Sequence, residues 1–224
     1  MHDYHTLIIS DIHLGTRVCN TEKLLTVLRQ TSYTHLVING DLFDGNNIAR
    51  LSPQHKEVLT VLADIANKKK VFLIGGNHGR KLDSEVTKMG IEIRDTYAFA
   101  VENNRFLCVH GDEFDFFVRR LKRISKIAGS VYGFLQRFSG KKQRFSHLMK
   151  RMSKNVLGVP KRQQRLALRH AVKHDASVII CSHTHVPHDD FTGDIRFINT
   201  GSFCDQVCHF VTIDNKGVPL LHQI

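Results

Sequence analysis

Apolar residues along this chain come in short runs that stop at polar ones. Thr6-Leu-Ile-Ile-Ser-Asp-Ile-His-Leu-Gly15 opens as a buried strand and passes abruptly into polar groups and a glycine turn. Leu36-Val-Ile-Asn-Gly-Asp41 and Val71-Phe-Leu-Ile-Gly-Gly-Asn-His78 repeat that arrangement. Between these runs the spacing becomes helical, with Leu24, Leu25 and Leu28 inside Glu22 to Arg29, and Val58, Leu59, Leu62, Ile65 and Ala66 inside His55 to Asn67. Strand, helix, strand, helix, strand predicts a layered α/β core.

Further strands are expected at Ile91 to Ile93, Arg105 to Val109, Ser177 to Cys181, Ile195 to Asn199 and Val207 to Ile213. The last leads through the turn Asp214-Asn-Lys-Gly217 to Leu220 and Leu221. Short connections without helical crossovers predict that these strands form a second, largely antiparallel sheet stacked on the first. The stretch from 115 to 174 interrupts them with helical spacing through Phe117, Leu121, Ile124, Phe134 and Phe138, and with further helices at Phe145 to Leu157 and Arg162 to Val172. The domain expectation is therefore a core of residues 1–114 and 175–224, carrying a basic helical cap at 115–174.

Charge sharpens this division. The formal net charge is +11, yet Phe116 through His174 contains seventeen Lys or Arg residues and no Asp or Glu. Removing those seventeen leaves the remainder of the chain at −6. Such asymmetry points to an anionic partner: a phosphorylated substrate, a phospholipid surface or nucleic acid. At 42% hydrophobic and 24% charged with four prolines, the composition is that of an ordered globular chain. No run approaches ~18 apolar residues, and the N-terminus passes from polar residues straight into a strand pattern, so neither a signal peptide nor a membrane span is read. Five dispersed cysteines, several inside apolar runs, fit a reducing compartment, and the expected location is cytoplasmic, with peripheral contact at the inner membrane surface. No obligate protein partner is inferred.

Ligand-type residues recur at the polar tips: Asp11 with His13, Asp41 with Asp44, Asn77 with His78, His110, and His183 with His185. Such groups are costly to bury unpaired, and in open α/β sheets the strand ends converge on one crevice. Alternation along a strand would put Asp11 and His13 on one side, and likewise His183 and His185, so that each pair could bind metal together. Imidazole mixed with carboxylate favours Mn2+, Fe2+ or Zn2+ over purely Mg2+ or Ca2+ chemistry. A central carboxylate can bridge two ions ~3.5–4 Å apart, the arrangement used for hydrolysis at phosphorus. Asp41 is the candidate bridge.

The chain resembles the calcineurin-like metallophosphoesterases, whose motifs stand here in order as Asp11-Ile-His13, Gly40-Asp41-Leu-Phe-Asp44, Gly76-Asn77-His78, His110-Gly-Asp112 and Ser182-His183-Thr-His185. The resemblance implies a four-layer αββα sandwich with an inserted helical cap, and two divalent cations, Mn2+ first, with Fe2+, Zn2+ or Mg2+ as alternatives. By resemblance Asp11, His13, Asp41 and His185 would hold one ion, and Asp41, Asn77, His110 and His183 the other. His78 would serve the chemical step as general acid or charge stabiliser, while Asp44 and Asp112 would orient histidine ligands. Two positions depart from the family pattern: Gly79 stands where an Asp commonly follows Asn-His, and Ser182 where Gly commonly precedes the first His. Arg80, next along, could bind a phosphoryl oxygen.

A closer resemblance, carried by His110-Gly-Asp-Glu-Phe-Asp115, the basic helical insertion and Asn199-Thr-Gly-Ser202, is to the bacterial UDP-2,3-diacylglucosamine hydrolases and their uncharacterised relatives. It implies a hydrolase acting on a lipid-linked nucleotide diphosphate, with the cap receiving acyl chains and Lys122 and Lys126 meeting the anionic headgroup. A metal-dependent nuclease or cyclic phosphodiesterase is the alternative, and a non-catalytic scaffold comes third.

Overall fold

The computed structural model describes residues 3–114 and 159–224. Two sheets lie face to face. The first has six strands: β1 (Asp3–Ile9), β2 (Ser32–Ile38), β3 (Lys70–Ile74), β4 (Glu92–Arg94), β10 (His209–Ile213) and β11 (Pro219–Gln223), in the order β11-β10-β1-β2-β3-β4. Strands β1 to β4 are parallel, as helical crossovers demand, and β10 and β11 extend the sheet antiparallel. The second sheet orders β5 (Thr96–Val101), β6 (Asn104–Val109), β7 (Val178–Cys181), β9 (Ile195–Asn199) and β8 (His188–Thr192) as β5-β6-β7-β9-β8.

Four layers follow from where the apolar side chains point. Along β1, Leu7 and Ile9 face the helices α1 (Thr21–Gln30) and α2 (Pro53–Ala66), packing with Leu24, Leu28, Val58 and Leu62. Ile8, one residue out of phase, faces the other sheet and joins Val37, Phe72 and Val211 against Phe106, Cys108, Val178, Ile180 and Ile198. The short α3 (Asp83–Lys88) buries Val86 in the first helical layer. The far face of the second sheet, through Leu107, Val109, Ile179, Cys181 and Phe197, is covered by Ala167 and Ala171 of α4 (Val159–Lys173). Helix, sheet, sheet, helix is the αββα order expected.

The second sheet departs from the sequence expectation in kind. It is mixed, because β6, β7 and β9 run parallel and only the edge pairs β5·β6 and β8·β9 are antiparallel. The reason is α4, which carries the chain from β6 back to the start of β7 as a crossover. Residues 159–173, read from sequence as the end of the cap, thus form the outer helical layer of the core through the small residues Ala167 and Ala171. The remainder of the expected cap, with Phe117 through Phe138, Lys122 and Lys126, lies outside the described residues. Strands β5 and β8, both sheet edges, and α3 are additions to the elements that the sequence pattern predicts. Every side chain of β8 is exposed, so no apolar alternation marks it.

Phe106 is fully enclosed between the sheets and stacks on Phe99 at 5.1 Å. Phe106→Ala is expected to cost ~3–5 kcal/mol through lost burial and the cavity left behind, read from the denaturant midpoint at unchanged slope.

Candidate metal centre

The polar tips converge beyond the strands' C-terminal ends, and the backbone that delivers them is unusual. Among the described residues seven non-glycine positions have positive φ, and five of them are Asp11 (+47°), His13 (+51°), Asp41 (+48°), His183 (+67°) and His185 (+59°). Left-handed geometry costs an L-residue roughly 1–2 kcal/mol, and its concentration at one place marks a functional site. It also changes the expected pairing, since β1 ends at Ile9 and β7 at Cys181, so these residues do not alternate as strand residues do. Asp11 and His13 still meet in one group, with His185, whereas His183 turns to a second group with Asp41 and His110. The pair His183 and His185 is therefore divided, each histidine serving a different cluster.

Neighbouring backbone holds both clusters. The tips of β1 and β2 continue side by side through His13 N to Asp41 O (2.9 Å) and Leu14 N to Leu42 O (2.8 Å). Past His13, Gly15 N donates to His55 Nδ1, whose ring also closes the capping box at Ser52 that starts α2. The second sheet is tied to the first by His183 N donating to Asp11 Oδ2 at 3.1 Å. Gly40 lacks a side chain by necessity, because a Cβ there would fall on the His110 ring.

The donor atoms face one another across short gaps. In the first cluster His185 Nε2 lies 3.0 Å from Asp11 Oδ1 and 3.3 Å from His13 Nε2. In the second, His110 Nε2 is 3.4 Å from Asp41 Oδ2 and 3.3 Å from Asn77 Oδ1. Ligands held ~2.1 Å from a common ion stand ~3.0–3.4 Å apart, so these gaps have the spacing that a shared ion would need. Asp41 Oδ2 sits between the clusters, 3.4 Å from His110 and 3.8 Å from His13, while Oδ1 accepts from His78 N. That is the placement of a bridging carboxylate. Asp11 Oδ1 and His13 Nδ1 are buried without a hydrogen-bond partner, costs that a cation at Oδ1 and a water at Nδ1 would remove. The donor set fits two divalent cations.

Electrostatics agree. Burial alone would raise the Asp11 carboxyl, but the close imidazoles of His185, His13 and His110 outweigh it and hold the group well below the carboxylate range. For Asp41 burial is likewise overcome, mainly by the hydrogen bond and charge of His110, which bring it to about 2. Burial would lower His110, yet Asp41, with Asp11 and Asp112 behind it, raises it to about 9. Asp112 contributes to that rise from outside the cluster, through its charge. Asp44 Oδ1 lies 4.0 Å from His13 Nδ1, near enough to orient that ring through one water.

His78 is exposed beside the first cluster, its ring 5.2 Å from that of His13. Its Nδ1 donates to the Asp44 carbonyl at 2.8 Å, which holds the ring's orientation without a carboxylate at position 79. Gly79 adopts φ +70°, and a Cβ there would come 2.8 Å from Phe43 Cβ. Arg80, expected at a phosphoryl oxygen, donates through Nε to Gly76 O (2.8 Å), and its Nη2 lies 3.6 Å from Asp95 Oδ1. The five cysteines are free thiols; Cys204 donates to Ile12 O at 3.3 Å and Cys208 is buried, in keeping with structural roles.

Gly79→Asp should therefore lower the melting temperature without raising turnover, because its side chain meets Phe43 and His78 already has an orienting acceptor. In the metal-free chain His110 gains its stabilising charge below its ordinary 6.5, and that contribution fades as pH rises through about 9, whereas Asp41 contributes above 3.8 and is lost as pH falls through about 2. Cation binding at His110 Nε2 must displace a proton near pH 7, so a weakly buffered titration should record about one proton released per ion at that position.

Residues 4–187 match the calcineurin-like phosphoesterase family. No curated protein matches the chain. Among solved structures, an archaeal phosphodiesterase shares the fold at 15% identity and TM-score 0.54, with 98% of this chain and 99% of that one covered. Vps29 from Chaetomium thermophilum does so at 13% identity and TM-score 0.55, covering 98% and 96%. A single mutant of Vps29 from Entamoeba histolytica aligns at 14% identity and TM-score 0.51, covering 98% and 97%. Identities this low carry the fold alone. The family match, spanning most of the chain and all the clustered donors, places this protein in the calcineurin-like phosphoesterases, a family of dinuclear-metal-dependent hydrolases.

Proposed function

We propose that this chain hydrolyses a phosphodiester or pyrophosphate bond in an anionic, lipid-linked nucleotide diphosphate of the UDP-2,3-diacylglucosamine kind, using two cations, Mn2+ first. The observation that carries the phosphohydrolase reading is the division of Asp11, His13 and His185 from Asp41, His110 and His183 into two adjoining clusters, with Asp41 Oδ2 between them. When bound, the two ions would supply Lewis acidity at the phosphoryl oxygens and lower the pKa of the attacking water. Asp11, His13, Asp41 and His185 would hold one, and Asp41, Asn77, His110 and His183 the other.

The chain's own residues then divide the work. Asp41 and Asp11 keep their negative charge at any ordinary pH and so remain available as ligands. His78 has Nδ1 committed to Asp44 O, which leaves Nε2 as the ring atom that can pass a proton to the leaving oxygen or neutralise charge there. The Asn77 side-chain oxygen faces His110 across 3.3 Å, so Asn77 and His78 present adjacent groups to the metals and to the substrate respectively.

The lipid-linked substrate is supported by the Asp-Glu-Phe-Asp115 stretch and the acid-free segment that follows it. Helix α4 supports an anionic partner as well. It starts beside the site, where Gln163 donates to Ser182 O, and it exposes Lys161, Arg165, Arg169 and Lys173 at four-residue spacing. Among the described residues no carboxylate is ion-paired with these four. An anionic membrane surface would be met by the same charges, and among the described residues no helix is long and apolar enough to cross a bilayer. A nuclease would use identical chemistry on a polyanionic substrate, and strong salt dependence would mark it.

Purified protein loaded with Mn2+ is expected to hydrolyse bis-p-nitrophenyl phosphate, and a UDP-linked diacyl sugar faster than single-stranded DNA. Asp41→Asn should lose both activity and metal, more severely than Asp44→Asn. His78→Ala should retain two ions per chain while turnover falls ~10²–10⁴-fold. Faster cleavage of single-stranded DNA than of the UDP-linked substrate would reverse the substrate assignment, and saturation at a single ion would end the dinuclear reading.

A further inference from the structure

Ser182 stands one residue before His183 and is fully buried. It contacts no donor gap directly. Its Oγ donates to the Asn39 carbonyl at 2.6 Å and accepts from His110 Nδ1 at 2.9 Å. The same carbonyl lies 3.1 Å from His110 Nδ1. Asn39, also fully buried, sends its side-chain amide to Val109 O (3.1 Å) and Ile180 O (3.2 Å). One closed triangle thus joins the tip of β2 in the first sheet to the tips of β6 and β7 in the second.

Chemistry gives this triangle a direction. A carbonyl oxygen can only accept, so the serine hydrogen points to Asn39 O and the serine lone pair points to the imidazole. His110 Nδ1 must therefore carry hydrogen, which makes Nε2, the atom facing Asp41 Oδ2 and Asn77 Oδ1, the ring nitrogen that would take a cation once its own proton is displaced. In the first cluster His13 Nδ1 makes no direct hydrogen bond, and the carboxylate near it, Asp44 Oδ1, stands 4.0 Å away.

The geometry points to Ser182 as a positioning residue that, through Asn39 O, fixes the tautomer and ring orientation of His110 and so selectively strengthens the cation position shared by Asp41, Asn77, His110 and His183. This rests on the dinuclear reading above and adds to it an asymmetry between the two positions, one supported by direct hydrogen bonds between the sheets and the other without a direct partner at His13 Nδ1. The network is extended on its outer side by Gln163, Thr184 and Asn199. Gln163 Nε2 and Asn199 Nδ2 both donate to Ser182 O, at 2.9 and 3.0 Å, and Asn199 Nδ2 also donates to Thr184 Oγ1 at 3.1 Å.

The test is a cycle in metal affinity, read by calorimetric titration with Zn2+ and independent of turnover. In a His185→Ala background, which retains the His110 position, adding Ser182→Ala should weaken binding ~10- to 100-fold. In a His110→Ala background, which retains the His13 and His185 position, adding Ser182→Ala should leave affinity unchanged. In zinc-loaded protein the His110 Nδ1 proton should give a slowly exchanging nitrogen-attached resonance that broadens or disappears in Ser182→Ala. Equal weakening in both backgrounds, or none in the first, would overturn the assignment, the former meaning that the hydroxyl merely supports the fold. Wild-type protein that binds fewer than two ions would instead remove the dinuclear reading itself. Should Ser182→Ala fail to fold, Ser182→Gly removes the same hydroxyl and is read in the same way.

Discussion

Two carboxylates, Asp11 and Asp41, are buried to 0% and 3% exposure at adjoining strand tips, and the remainder of the molecule is arranged around making that tolerable. An isolated buried carboxylate would neutralise itself by taking a proton. Here the opposite happens, because imidazoles from both sheets crowd the pair and keep both groups ionised. His110, His183 and His185 follow β6 and β7 while the carboxylates follow β1 and β2, so the charge balance can be struck only when the two sheets are packed face to face. The apolar interface through Ile8, Val37, Phe72, Phe106, Cys108, Val178 and Ile180 is what sets that distance.

Precision at the tips is obtained at the expense of backbone comfort. Five candidate ligands sit in the left-handed region, each locally unfavourable, and each is over-determined by its surroundings. Paired backbone hydrogen bonds run on past β1 and β2, His183 N is anchored on the Asp11 carboxylate, and the Asn39, Ser182 and His110 triangle closes the remaining side. Stability stored in four packed layers offsets strain concentrated where donors must aim at common points.

The fold leaves chemistry undecided. Structures with this architecture include one named as a phosphodiesterase and others named Vps29, at similar levels of likeness. Function resides in the grafted site. In this chain two candidate metal-binding groups, with Asp41 between them and His78 beside them, stand together at one end of the sheets.

Much of this was legible in the residues. Buried runs such as Leu7 to Ile9 and Val71 to Ile74, and the helical spacing of α1 and α2, report one-sided or complete burial, and burial is a local demand that composition records directly. The donors were legible for the same reason, since Asp, His and Asn directly after an apolar run contradict their own burial cost. What the sequence could not decide were matters set by neighbours distant along the chain. Edge strands β5 and β8 owe their conformation to β6 and β9, and α4 reads as a basic cap helix until the small faces of Ala167 and Ala171 meet the second sheet. Strand spacing alone suggested that His183 and His185 share a metal, whereas the family resemblance assigned them to different ions, and the left-handed dihedrals show how the backbone divides them between clusters. The sequence marked Ser182 as a departure from the family pattern without a role, left Asn39 without a reading, and made Gly79 look like a lost carboxylate. Tertiary structure shows the first two forming the inter-sheet clamp and the third yielding its space to Phe43, because hydrogen-bond direction and close approach exist only once the two sheets have been brought together.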